Sequence, residues 1–360
     1  MPHSYPVSVV GICHTCQVIN RFLTKPICIL GLGLIGGSLL RDLKAAGQLA
    51  YGYNRSASGA RHAASEGFDV SDDLESTLSR AETDEALIVI ATPIGAVDGM
   101  LDKIKELAPS CGITDVVSVK SQVYALVRSH GLADRYVGGH PMAGTADSGW
   151  KASQEGLFQG AAWVITFDHA LDTHGAVSSS WVELWYEVAR MIKLTGAEII
   201  PSRVDHHDAA VARVSHLPHL LAETLAVVGD NGGALSLSLA AGSFRDGTRV
   251  AGTAPALVQG MCETNSEALV KALDEAIELL AEARTGLTAK RPSIAELADA
   301  GYRSRIRYEA RSGLGAAQQD AHVATTSVSG RPVLRLLPGA PGWVKQLIHA
   351  ESLGARIEVF

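Results

Sequence analysis

The sequence predicts an α/β chain, a doubly wound parallel sheet over residues 25–201 followed by an all-α domain over residues 202–290. Three observations predict it. Short unbroken apolar runs, Ile27 to Leu30 and Ala86 to Ala91, have the pattern of strands buried on both faces. Helical patterns alternate with such runs at the spacing of βαβ units. After Pro201 the strand patterns vanish and Ala- and Leu-rich helical stretches replace them.

At 360 residues the chain has room for two domains with real cores. A net charge of −7 carries no footprint of nucleic-acid binding. No apolar run is long enough to span a membrane. Met1 to Phe22 lacks the basic start and long apolar stretch of a signal peptide. Five cysteines, an odd number and scattered, fit reduced thiols, and a cytoplasmic location is expected. Cys13-His-Thr-Cys16 forms one CxxC, but no second pair stands at zinc-site spacing, so no metal is expected. Residues 1–24 form an N-terminal extension in this reading.

The first strand runs directly into Gly31-Leu32-Gly33-Leu34-Ile35-Gly36, and a helix with Leu39, Leu40 and Leu43 on one side follows. Strand, glycine turn and helix in that order make the Rossmann-type dinucleotide fingerprint. Gly31 allows the turn, Gly33 lets backbone approach a pyrophosphate, and Gly36 lets helix and strand lie close. The helix N-terminus faces the phosphates with unpaired N–H groups. A glycine loop packed for its own sake is the alternative. Gly47 stops the helix, and the second strand, Leu49 to Tyr53, ends in Asn54-Arg55-Ser56. NAD enzymes usually place a carboxylate here for the ribose hydroxyls. Neutral Asn54 beside the charged fork of Arg55 favours the extra phosphate of NADP, with NAD as the alternative.

Helices over Ala57 to Glu66 and from Asp72 or Asp73 to Ala81 precede the central strand Ala86 to Ala91. That strand delivers Thr92-Pro93 to the carboxyl edge, where open α/β sheets hold ligands. A helix over Ala96 to Ala108 and a strand over Ile113 to Val119 bring Ser118 and Lys120 to the same edge. The helix Gln122 to Ser129 then leads to Tyr136-Val-Gly-Gly139 and His140-Pro-Met-Ala-Gly-Thr-Ala-Asp-Ser-Gly149. A strand over Ala161 to Phe167, a helix over Trp181 to Leu194 and a last strand over Ala197 to Ile200 complete the domain. The helical domain breaks at Gly229 to Gly233 and between Gly242 and Gly252. Its apolar content exceeds what one thin bundle hides, which predicts pairing with a second copy. From Thr288 a basic stretch holds Arg303, Arg305, Arg307 and Arg311, and the tail of residues 291–360 carries a strand–helix–strand pattern with no assigned function.

His140 lies where a nicotinamide should rest, and histidine titrates near neutrality, so it suits a base that takes a hydroxyl proton as hydride leaves. A histidine that merely orders its loop is the alternative. Ser118 is placed to bond the substrate hydroxyl or to fix the His140 tautomer. His206-His207-Asp208 and Ser215-His216-Leu-Pro-His219 form a second cluster, with His216 and His219 sharing a helix face. Metal ligation is the less favoured reading, since Pro218 interrupts the helix and no HExxH pattern occurs. Arg249 sits in a glycine-rich break, suited to clamp a carboxylate or, alternatively, to pair with Asp246.

The glycine turn, Ala91-Thr-Pro93, Ser118-Val-Lys120, Gly139-His-Pro-Met-Ala-Gly144, His207-Asp208, Ser215-His-Leu-Pro-His219 and Thr248-Arg-Val-Ala251 follow one another as in the prephenate and arogenate dehydrogenases of tyrosine synthesis. The chain resembles that family from about residue 26 to 290. The resemblance implies that His140 accepts the proton of the ring 4-hydroxyl with support from Ser118. Hydride then passes to the nicotinamide while the ring carboxylate leaves as carbon dioxide. It also implies that Arg249 holds a substrate carboxylate near His216 and His219, that Lys120 lies at the substrate, and that the helical domain forms a homodimer. Many relatives carry Thr-Glu-Lys-Ser-Gly where this chain has Thr145-Ala-Asp147-Ser-Gly149. A lone carboxylate at Asp147 attracts the ammonium of arogenate and gains nothing from the ketone of prephenate. Two readings compete: a β-hydroxyacid dehydrogenase-like enzyme, which typically relies on a lysine in the second domain, and a non-catalytic NADP sensor, which needs no His140.

Overall fold

The computed structural model describes residues 25–145, 147–312 and 329–360, and the CxxC of Cys13 and Cys16 lies outside them. Six short strands, β1 (Ile27–Leu30), β2 (Ala50–Tyr53), β3 (Val70–Ser71), β4 (Leu87–Ile90), β5 (Ile113–Asp115) and β6 (Tyr136–Val137), form a parallel sheet in the order β3-β2-β1-β4-β5-β6. Order reverses beside β1, the switch point at which such sheets open a crevice. Alternate residues of β1 serve opposite cores: Ile27 and Ile29 enter one cluster, Cys28 and Leu30 the other. Helices α1 (Leu34–Ala45), α2 (Ala57–Ser65), α3 (Leu74–Thr83), α4 (Val97–Leu107) and α5 (Ser121–Ser129) connect the strands.

The domain holds two sheets where one was expected. At Gly138 the chain leaves the parallel sheet and enters a five-stranded mixed sheet. It consists of β7 (Gly139–Pro141), β8 (Ala162–Thr166), β9 (Glu198–Ser202), β10 (Val333–Leu336) and β11 (Arg356–Val359), ordered β10-β11-β9-β8-β7. The crossing is tight. A Cβ on Gly138 would meet the Thr166 and Tyr136 hydroxyls at 2.8 Å, and one on Gly139 would meet the Asp115 carbonyl oxygen at 2.8 Å. Strand β5 also ends earlier than its apolar run suggests. Asp115 Oδ1 accepts the Val117 N–H at 2.8 Å, and this local bond turns the chain before Ser118. Helices α6 (Asp168–Asp172) and α7 (Ser179–Leu194) lie between β8 and β9.

Strand β9 feeds α8 (Val204–Val211), a π-helical turn (Ala212–His216) and α9 (Leu217–Asn231). Then come α10 (Gly233–Ser238), α11 (Gly242–Thr248), a 3₁₀ turn (Arg249–Gly252), α12 (Pro255–Thr264) and α13 (Ser266–Leu287). The basic stretch is a further helix, α14 (Ala295–Ser312). In the tail, α15 (Trp343–Leu353) joins β10 to β11, so the expected strand–helix–strand exists, but as the edge of the second sheet. Trp343 seals it onto α7, with ring centroids 5.3 Å from Trp185 and 6.2 Å from Trp181. The helical domain leaves Val228, Leu235, Leu239 and Leu280 more than half exposed. No helix among the described residues is long and apolar enough to cross a membrane.

Candidate active site

The glycine turn opens a cavity of about 890 Å³ at the carboxyl edge of β1, β2 and β4. Gly31 has φ +107°, and a Cβ there would meet the Ala91 carbonyl oxygen at 2.6 Å, so only glycine fits the turn. A Cβ on Gly33 would meet nothing within 4 Å, which leaves open space before the first turn of α1. No side chain caps that helix. Its free N–H groups and dipole therefore suit a pyrophosphate. Leu32 turns its side chain into the core, whereas Leu34 and Ile35 are half-buried at the turn. The Thr92 hydroxyl is buried without a partner, an orphan that a ligand hydroxyl or amide would satisfy.

At the end of β2, Asn54 Oδ1 accepts the Ser56 N–H at 3.1 Å, and Ser56 Oγ accepts the Gly59 N–H at 3.2 Å as the cap of α2. Both side chains are thus spent on shaping the turn. Arg55 is exposed at the rim, and His62 and Lys151 line the same cavity. These two were not singled out from the sequence, because nothing local links position 151 to the ribose end. The link is Trp150, whose Nε1 donates to Glu66, just past α2, at 2.9 Å beneath the Arg41 guanidinium. Asp147, in the loop before Trp150, is exposed.

His140 stands in the middle of β7. Its Nδ1 lies 2.8 Å from His207 Nε2, and His207 Nδ1 lies 2.8 Å from Asp208 Oδ1. Asp208 also accepts the Lys120 and Ser121 N–H groups, each at 2.8 Å, at the start of α5. Burial raises the Asp208 pKa, but the bonds from His207, Lys120 and Ser121 outweigh it and hold the acid below its usual range. The carboxylate only accepts, so the chain of protons follows. His207 carries its hydrogen on Nδ1 and accepts on Nε2, and His140 carries its hydrogen on Nδ1 and keeps a lone pair on Nε2. Burial, with His207, Lys120 and His216 nearby, holds the His140 pKa well below the ordinary value. It is a neutral imidazole with one free basic nitrogen.

The π-helical turn rolls His216 into this cluster, and the chain runs through it into α9 without a break at Pro218. Burial pushes His216 down to about 4. Asn265, between α12 and α13, donates to the Asp208 carbonyl at 2.9 Å and lies 3.1 Å from His216 Nδ1. Sequence reasoning missed Asn265, since an asparagine between two helices looks like a cap. Burial also lowers the His219 pKa, and the nearby Arg249 guanidinium adds to the lowering. His219 Nδ1 is buried without a partner. Asp246, the alternative partner for Arg249, pairs with Arg245 instead, and Arg249 is exposed with no ion pair among the described residues. Ser118 is half-buried and forms no side-chain hydrogen bond among the described residues, so the tautomer of His140 is set by His207 instead.

Lys120, expected at the substrate, has a fully buried side chain instead: it is ion-paired to Asp115 and donates to the Gly139 carbonyl at 2.8 Å. Tyr136 hydroxyl donates to the same Asp115. Lys120 thus pins the segment that enters β7.

Residues 39–200 match the family model described as prephenate dehydrogenase, nucleotide-binding domain, and residues 203–308 the model described as prephenate dehydrogenase, dimerization domain. A Bacillus subtilis prephenate dehydrogenase is 32% identical over 268 residues, 72% of this chain and 69% of the relative. A Zymomonas mobilis cyclohexadienyl dehydrogenase is 31% identical over 280 residues, 74% of this chain and 89% of the relative. Among solved structures, a Corynebacterium glutamicum protein provisionally described as a prephenate dehydrogenase shares 61% identity. Its TM-score is 0.87, covering 94% of this chain and 100% of the other.

Proposed function

The chain belongs to the prephenate dehydrogenase family, and from that premise we propose that it oxidatively decarboxylates prephenate or arogenate with a nicotinamide dinucleotide. The observation that carries the proposal is the Asp208–His207–His140 relay, which leaves one basic nitrogen. In this mechanism His140 Nε2 takes the proton of the ring 4-hydroxyl. A bound nicotinamide supplies the acceptor for the hydride that leaves the same carbon. The bond from the ring to its carboxylate breaks, carbon dioxide departs, and the ring becomes aromatic. Asp208 and His207 hold the His140 tautomer and share the positive charge that develops on it. Ser118 is free to bond the hydroxyl, and Arg249, beside His219, offers a cation to the substrate's far carboxylate.

Arg55, His62 and Lys151 around the ribose end, with no carboxylate at position 54, support NADP over NAD. Exposed Asp147 supports acceptance of arogenate through its ammonium. The exposed leucines and valines of the helical domain support a homodimer.

The test pairs prephenate and arogenate with NAD and NADP and follows reduced nicotinamide at neutral pH. Turnover of either substrate is expected, fastest with NADP. Silence in all four mixtures, with dinucleotide binding shown separately, refutes the enzymatic reading. An Asp147→Ala variant with an unchanged arogenate-to-prephenate ratio of kcat/KM refutes the role of Asp147.

A further inference from the structure

We infer that Glu351, in the tail beyond both matched family models, is a positioning residue for the proton relay. It acts through the first turn of α8. The inference rests on reading His140 as the base.

Glu351 lies in the last turn of α15 with its side chain only 8% exposed. Its Oε1 accepts the Arg203 N–H at 2.7 Å and the Ser202 hydroxyl at 3.2 Å, and stands 3.3 Å from His206 Nδ1. Its Oε2 accepts from Arg203 Nε at 2.8 Å. Arg203 is the residue that caps α8, and it has no capping side chain of its own. The Glu351 carboxylate instead holds the cap residue itself from another element, and it sits at the positive end of the helix dipole. Asp168 takes the next N–H, that of Val204, at 3.1 Å.

The grip is double. Strand β11 pairs with β9 at Ile357 and Ile199, on the strand that runs into Arg203. The tail therefore holds the β9–α8 junction by a backbone ladder and by one carboxylate. His207 and Asp208 follow His206 directly, and His207 has to meet His140 and Asp208 at 2.8 Å each. A small rotation of this turn breaks the relay, and misplacements on the order of 1 Å cost up to about a hundredfold in rate.

The experiment uses the full chain with Glu351→Ala, and Glu351→Asp, which keeps the charge but shortens its reach by one methylene. Steady-state kinetics, dinucleotide affinity and the ¹⁵N spectrum of labelled histidines are measured, with the His140 signals assigned by their loss in His140→Asn. The expected result for Glu351→Ala is a kcat lower by roughly tenfold or more, with KM and dinucleotide Kd within about twofold. The Nδ1–H signature of His140 is expected to give way to mixed tautomers. If Glu351→Ala does not fold, Glu351→Asp decides on the same readouts. A variant that melts earlier but keeps kcat and the His140 tautomer overturns the inference and leaves Glu351 a stability clamp. Should the wild type turn over neither substrate, the proposed function fails, while the histidine spectrum still tests the positioning role.

Discussion

His140 and His207 meet edge to face, their rings at 73° and their nitrogens 2.8 Å apart. Two neutral imidazoles bond this way only if one donates and one accepts, and Asp208 decides which. The base is thereby defined by His207, 67 positions away in the chain, and by the Asp208 that follows it.

His207→Phe retains an aromatic ring but removes the acceptor for His140 Nδ1–H. Its kcat is expected to fall by about two orders of magnitude, with dinucleotide affinity intact. Since burial holds His140 below its ordinary value, the acid limb of the wild-type kcat/KM profile is expected to have its midpoint below pH 6.5. A midpoint above that value would contradict the neutral relay.

Lys120→Ala leaves Asp115 buried without its cation. Breaking a buried pair in this way costs about 3–5 kcal/mol, which urea unfolding would register as a lower midpoint. An unchanged midpoint would show that Lys120 does not anchor the entry to β7.

Burial raises the Asp168 pKa to about 7, against an ordinary value near 3.8. The sign follows from linkage. A carboxyl raised on folding adds stability that is full below the unfolded value and is lost as pH climbs through the folded one, here between about pH 4 and 7. Asp168→Asn keeps an acceptor for the Val204 N–H without the charge. Its melting temperature relative to wild type is expected to be higher at pH 8 than at pH 5, and an equal difference at both would refute the shift.

Arg55→Ala is expected to raise the Kd for NADP by roughly tenfold, the loss of one charge-assisted phosphate contact, and to leave NAD little changed. Asn54→Asp should move preference toward NAD. Equal losses for both dinucleotides would remove Arg55 from phosphate recognition.

The glycine turn and His140 were legible because their signals are local: a strand, a turn, and a histidine beside a proline. What the sequence concealed was partnership. Apolar periodicity marks Ile113 onward as strand, but it cannot register that Asp115 turns the chain by bonding Val117. Lys120 reads as a cation at the ligand edge because a lysine's burial depends on a carboxylate and a carbonyl supplied by the fold. Asn265 and Glu351 carry no local signal of these roles, since their partners lie in other elements. The tail's strand–helix–strand pattern was visible, while its docking beside β9 was not, because strand pairing is a long-range event.

The order of the second sheet has a consequence for biogenesis. Strand β9 emerges from the ribosome before the helical domain, yet its neighbour β11 is made only after that domain is complete. A nascent chain therefore carries an open, apolar strand edge throughout synthesis of the helices, a condition that invites aggregation. The sheet bearing His140 is finished late in translation, so a premature stop before β10 yields a chain that displays a dinucleotide crevice with its second sheet unclosed.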